Sequence, residues 1–132
     1  MVVSVDRRGL HLELHSDIGR IASLLPLVPQ DVTVVLHHFG KPSVASLADE
    51  VVQAVTSRQR TGSETYVTFS GDLTALPLDL LGRDRLLWAS GWLCTNHESK
   101  ADYARLRVTL NDWLPEASDR QAALQGDPQR LY

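Results

Sequence analysis

The chain has one cysteine in 132 residues, Cys94, and two lysines, Lys41 and Lys100; aromatic side chains fill only 6% of positions. A lone cysteine excludes an intrachain disulfide and a multi-cysteine zinc site, and it fits a reducing compartment. Thirteen basic against sixteen acidic side chains give a formal net charge of -3. The arginines occur in short groups, Arg7-Arg8, Arg58-Arg60 and Arg83-Arg85, which read as solvated surface rather than as a stripe that neutralises phosphates. No nucleic-acid partner is expected. No run approaches the ~20 apolar residues that cross a bilayer. The opening MVVSVDRRG carries acid and arginine where a secretion signal needs its apolar segment. No membrane association is expected, and the cytoplasm is the expected location. Internal repeats are also absent, which excludes a solenoid or a propeller.

What is present is the composition of an ordinary folded protein, 43% hydrophobic and 22% charged. The length suits about one domain with a real core. Residues 1–115 read as a single globular domain. Residues 116–132 read as a polar C-terminal tail, in which Gly126-Asp127-Pro128 breaks any short helix at Ala117 to Leu124; mobility is expected there unless a partner orders it.

Hydrophobic spacing supplies the elements. Val2 to Val5 and Leu10 to Ser16 read as a hairpin around Asp6-Arg7-Arg8-Gly9. In the second strand Leu10, Leu12 and Leu14 take the core face, and His11, Glu13 and His15 take a face that is wet or at an interface. Ser16 or Asp17 caps a short helix with Ile18, Ile21, Leu24 and Leu25 at helical spacing, ended by Pro26 and Pro29. Asp31 to Phe39 is a β-branched, nearly continuous apolar run, expected to be a strand buried on both faces. An amphipathic helix follows, with Ser43 as N-cap and Val44, Leu47, Ala48, Val51, Val52 and Val55 on its stripe. Glu64 to Ser70 alternates as a strand. Arg85 to Thr95 is a further strand with a bend or bulge at Gly91. A last helix begins near Ser99, with a Ser99 to Asp102 capping-box spacing, carries Tyr103, Leu106, Leu110, Trp113 and Leu114 on one stripe, and stops at Pro115.

Strand, helix and strand over 31–70 suit a parallel β-α-β unit, hence an α/β fold, as well as they suit an antiparallel α+β arrangement. Local pattern does not choose between them.

Few residues suggest chemistry. His11, Glu13 and His15 resemble a metal-binding pattern, but on a strand the two histidines stand roughly 13 Å apart, too far for one ion to bridge. His37 and His38 end an apolar strand and point to opposite faces, so one enters the core or a cavity. His97 lies in a polar loop. Cys94 reads as a packed thiol. There is no nucleophile elbow, and the glycines are too scattered for a phosphate loop. Trp88 and Trp92 share one strand face, which serves as core, subunit interface or platform for a planar ligand.

The segment Gly71 to Leu93 resembles the flavin-mononucleotide-binding split-barrel group, which includes pyridoxamine-phosphate-oxidase-like and haem-utilisation-related actinobacterial proteins. The matching residues are Asp72, Leu76-Pro77-Leu78, Arg83-Asp84-Arg85 and Trp88-Ala89-Ser90-Gly91-Trp92-Leu93. The resemblance implies an α+β fold, a small antiparallel split-barrel-like sheet with two or three flanking amphipathic helices, dimeric, with FMN or haem at the subunit interface. It covers about a fifth of the chain. The histidine-rich second region of the haem-utilisation relatives has no counterpart in this chain.

Two functions follow as expectations. In the first, the chain is a non-catalytic binding or assembly module, a homodimer or a domain that docks on a protein partner. In the second, it is a flavin- or haem-binding split-barrel protein with a redox or haem-handling role, in which His37 or His38 lines the cofactor pocket and Trp88 or Trp92 packs beside the ring. No constellation in the sequence identifies an enzyme, no catalytic residue is assigned, and no metal site is expected.

Overall fold

The computed structural model describes residues 9–16, 18–37, 45–69, 84–89 and 102–132. The chain divides into two compact units, Met1–Val67 and Thr68–Tyr132.

The first unit alternates strand and helix: β1 (His11–Leu14), α1 (Ile18–Leu24), a 3-10 turn (Leu25–Leu27), β2 (Thr33–Leu36), α2 (Ala45–Arg60) and the start of β3 (Thr65–Phe69), which runs past the boundary at Val67. Pro26 falls inside the 3-10 turn, so α1 ends where a ring without an N–H first interferes with its ladder. β1 pairs with β2, and β2 with β3, both in parallel. This corrects the antiparallel split-barrel expectation; the alternative α/β reading, a parallel β-α-β unit at 31–70, fits. Parallel neighbours need a crossover of about a dozen residues, and the 16 residues of α2 supply it between β2 and β3. The first strand of the expected hairpin, Val2 to Val5, lies outside the described residues, as do the Ser43 cap and the Gly91 bend.

Register assigns the faces. Leu12 pairs with Val34, and Val34 with Thr65. Thr65 receives the Arg58 guanidinium of α2 at 3.2 Å, so this row faces the helix. Glu13, Val35 and Tyr66 form the neighbouring row and, by the two-residue period of a strand, face the other way. Val34, Val35 and Leu36 are all fully buried, as expected for a strand covered on both sides. Ile21, Leu25, Val51 and Val55 fill the space between the helices and the sheet, where α1 packs on α2.

The start of β2 and β3 is tied by polar contacts. Arg58, 2% exposed, donates through Nη1 to Val28 O at 2.8 Å and through Nη2 to Val32 O at 2.8 Å and Pro29 O at 3.3 Å. Burial lowers its pKa from the ordinary arginine value. Arg58 is therefore a clamp in the fold, not part of a solvated basic group. Gly62, with φ +82°, closes α2: its N–H bonds Gln59 O and the Ser63 N–H bonds Arg58 O, the paired closure that needs a left-handed residue after the helix.

The second unit holds β4 (Leu86–Trp88), α3 (Tyr103–Trp113), α4 (Ala117–Gln121), a wide π turn (Ala122–Gly126) and α5 (Asp127–Leu131). Asp102 caps α3, its Oδ1 accepting from Ala104 N at 2.9 Å and Arg105 N at 3.4 Å. The cap thus falls at the last residue of the expected capping box; Ser99 lies outside the described residues. Residues 117–131 are helical throughout. The wide turn gives room to Pro128, whose ring would clash with a carbonyl four residues back in a regular helix. Ala123 is buried and the wide turn packs on β4. Among the described residues no helix is long and apolar enough to cross a membrane.

Candidate functional site

In parallel α/β sheets the loops after the strands build the ligand sites, because helices cover the faces and only the carboxyl ends stay open. At that end of the first unit stand Glu13 near the end of β1, His15 just after it, and His37 just after β2. His11 and Glu13 share a face of β1 and bond each other, whereas Leu10, expected on the core face, is 62% exposed.

Glu13 joins two imidazoles. Its Oε1 lies 3.1 Å from His11 Nε2 and its Oε2 lies 3.0 Å from His37 Nε2. The His15 and His37 rings are 5.9 Å apart, tilted by 53°. Side-chain exposures of 18% for His11, 27% for His37 and 45% for Glu13 leave the group held by the fold yet reachable by a solute.

The carboxylate sets the direction of both contacts. An ionised carboxylate only accepts hydrogen bonds, so in both contacts the imidazole Nε2 is the donor. This is the arrangement in which a carboxylate orients an imidazole as a base and stabilises the cation formed when it takes a proton. Among the described residues no three His, Cys, Asp or Glu side chains are placed to share a metal ion.

The residues singled out in the sequence separate. His37 belongs to this group. His38 and Trp92 lie outside the described residues, as do Cys94 and His97. Trp88 is in the second unit, where its ring meets Tyr103 edge-on at 6.1 Å. The Glu13–His37 contact was not legible beforehand, because the two residues are 24 positions apart and meet only if β1 and β2 run in parallel.

Parallel strands joined by helices, with a polar group at their carboxyl ends, define an α/β scaffold. Comparison with known proteins agrees. The family model described as amidohydrolase matches residues 2–132, and the chain belongs to that family. A protein from Acinetobacter baumannii, described as a probable 2-pyrone-4,6-dicarboxylic acid hydrolase and solved with citric acid bound, superposes with a TM-score of 0.74 at 19% identity, over 93% of this chain and 52% of that one. A Pseudomonas putida protein assigned the same name superposes with a TM-score of 0.73 at 25% identity, over 94% of this chain and 52% of that one. The chain thus spans about half the length of these structures. No curated protein matches it.

These findings overturn three expectations. The chain is not a member of the FMN-binding split-barrel group. The flavin- or haem-handling reading falls with that resemblance, which rested on a short segment of structural residue types. The non-catalytic module gives way to a family of hydrolases.

Proposed function

We propose that this chain carries a hydrolytic site for a carboxylated cyclic ester of the pyrone dicarboxylate class. The observation that carries the reading is the Glu13–His37 contact of 3.0 Å at the carboxyl end of two parallel strands. Family membership and the names of the two superposed proteins support the substrate class.

In this reading His37 Nδ1 takes a proton from water as the water oxygen bonds to the ester carbonyl carbon. The carbon–oxygen bond of the ring then breaks, and the leaving oxygen receives the proton from the imidazolium. Glu13 holds the ring and offsets its transient charge, and His11 fixes the second carboxylate oxygen. One water is consumed and no electrons are exchanged. A cytoplasmic setting belongs to the proposal, supported by the lone Cys94, as does assembly with a second copy or a protein partner, which the mass of the chain in solution tests.

The test follows loss of the pyrone absorbance with 2-pyrone-4,6-dicarboxylate. Replacing His37 or Glu13 by Gln is expected to lower kcat/KM about 100-fold with an unchanged circular dichroism spectrum, the size of a general-base contribution. Variants as active as the parent, or a folded parent that leaves the pyrone intact, would overturn the reading.

A further inference from the structure

The second unit holds a cleft that the strand-end group does not explain. Its volume is about 400 Å³, at the lower end of the range for small-molecule sites. Trp88 at the end of β4 and Tyr103 at the start of α3 form one wall, their rings 6.1 Å apart and 67° to each other, with Leu110 and Leu124 adding apolar surface. Tyr103, Arg107 and Asn111 follow at four-residue steps, so one face of α3 presents a ring, a guanidinium and an amide to the same space. Arg120 enters from α4.

The charge of this lining is one-sided. Among the described residues it contains two arginines and no acid, in a chain whose formal net charge is -3. Arg120 is anchored, its Nη1 donating to Leu114 O at 2.6 Å and Pro115 O at 2.5 Å. That contact fixes the guanidinium plane and leaves Nε and Nη2 without a partner among the described residues. Arg107 has no partner among the described residues either. A planar guanidinium beside aromatic walls matches a ligand that is flat and carries a carboxylate, because carboxylates take paired N–H donors and rings take aromatic edges.

We propose that this cleft binds a small planar aromatic carboxylate, at a site whose residues are separate from the Glu13 and His37 group. Trp88 and Tyr103 flank the ring, Arg107 takes a carboxylate, and the anchored Arg120 supplies the second cation. The site stands whether or not the hydrolytic reading holds.

Isophthalate is the probe, titrated into the full chain by calorimetry and by the NMR signal of the Trp88 indole N–H, assigned with Trp88→Phe. Binding that moves this signal and weakens about tenfold or more in Arg107→Leu, a loss equal to one charge-assisted contact, supports the site, provided that Glu13→Gln binds as the parent does. Arg107 is exposed, so this variant is expected to fold; Tyr103→Ala checks the aromatic wall in a second fold-preserving variant. Equal affinity for cyclohexanecarboxylate or benzamide would contradict the planar carboxylate. So would no heat or shift at about 10 mM isophthalate, the weak limit for such a contact set, or binding lost in Glu13→Gln and kept in Arg107→Leu.

Discussion

A guanidinium that is 2% exposed has to be satisfied inside the fold, and Arg58 bonds three carbonyl oxygens and one hydroxyl at the start of β2 and β3. Replacing it with Met leaves those acceptors without donors, so Arg58→Met is expected to lower unfolding stability by about 3 kcal/mol in urea titration, at a cost of about 1 kcal/mol or more per orphaned group. A loss below half of that would mean that water reaches the carbonyls. In the sequence Arg58 looked like part of a surface pair, since nothing local distinguishes a clamp from a solvated arginine. Asp127 was hidden in the same way. It is 1% exposed, with Arg130 Nη2 2.8 Å from its Oδ1. Burial pushes its carboxyl above the ordinary 3.8; Arg130 and the backbone at Leu86 and Arg85 oppose this, and Asp84 adds to it. The folded chain therefore holds this proton more tightly than the unfolded chain. The stability it contributes is fully present below pH 3.8 and is lost as pH rises through the raised value. Asp127→Asn is expected to remove that loss, so that its stability relative to the parent grows from acid to neutral pH in paired urea titrations. An identical pH slope in both proteins would contradict the assignment.

At the scale of elements, apolar spacing reported well and direction did not. The buried run of β2, the α2 stripe through Val51, Val52 and Val55, and the α3 stripe through Leu110 and Leu114 were all legible, because periods of 2 and 3.6 are properties of the segment itself. Strand direction depends on which strand lies alongside, and the sequence of β2, α2 and β3 accommodates both arrangements. Caps were legible only to within a few residues. Asp102 accepts two N–H groups at the start of α3, and Asp102→Ala is expected to cost about 1 kcal/mol, read as a lower thermal midpoint of the second unit. No change in midpoint would place the stabilisation of that helix in packing alone. The helical run from Ala117 to Leu131 was not legible because Gly126 and Pro128 read as breakers, and the wide turn that accommodates them leaves no pattern in the sequence.

For the whole molecule, a short motif and a long one competed. The segment Gly71 to Leu93 pointed to a split barrel through residue types that many sheets use, whereas the amidohydrolase match runs over residues 2–132. The parallel sheet follows the longer signal. It explains why the polar face of β1 meets the end of β2, and the first unit then has two ends with different tasks: Arg58 ties the strand starts, and Glu13 with its imidazoles occupies the strand finishes. Because the chain spans about half the length of the superposed structures, the most direct test addresses the group itself, before any turnover. Nitrogen-15 NMR of the imidazoles reads which ring nitrogen of His37 carries the proton at neutral pH. The account predicts protonation at Nε2, with Nδ1 as the lone-pair nitrogen, and loss of that preference in Glu13→Gln. A neutral His37 protonated at Nδ1, unchanged by the substitution, would contradict the Glu13 contact and the base assigned to this site.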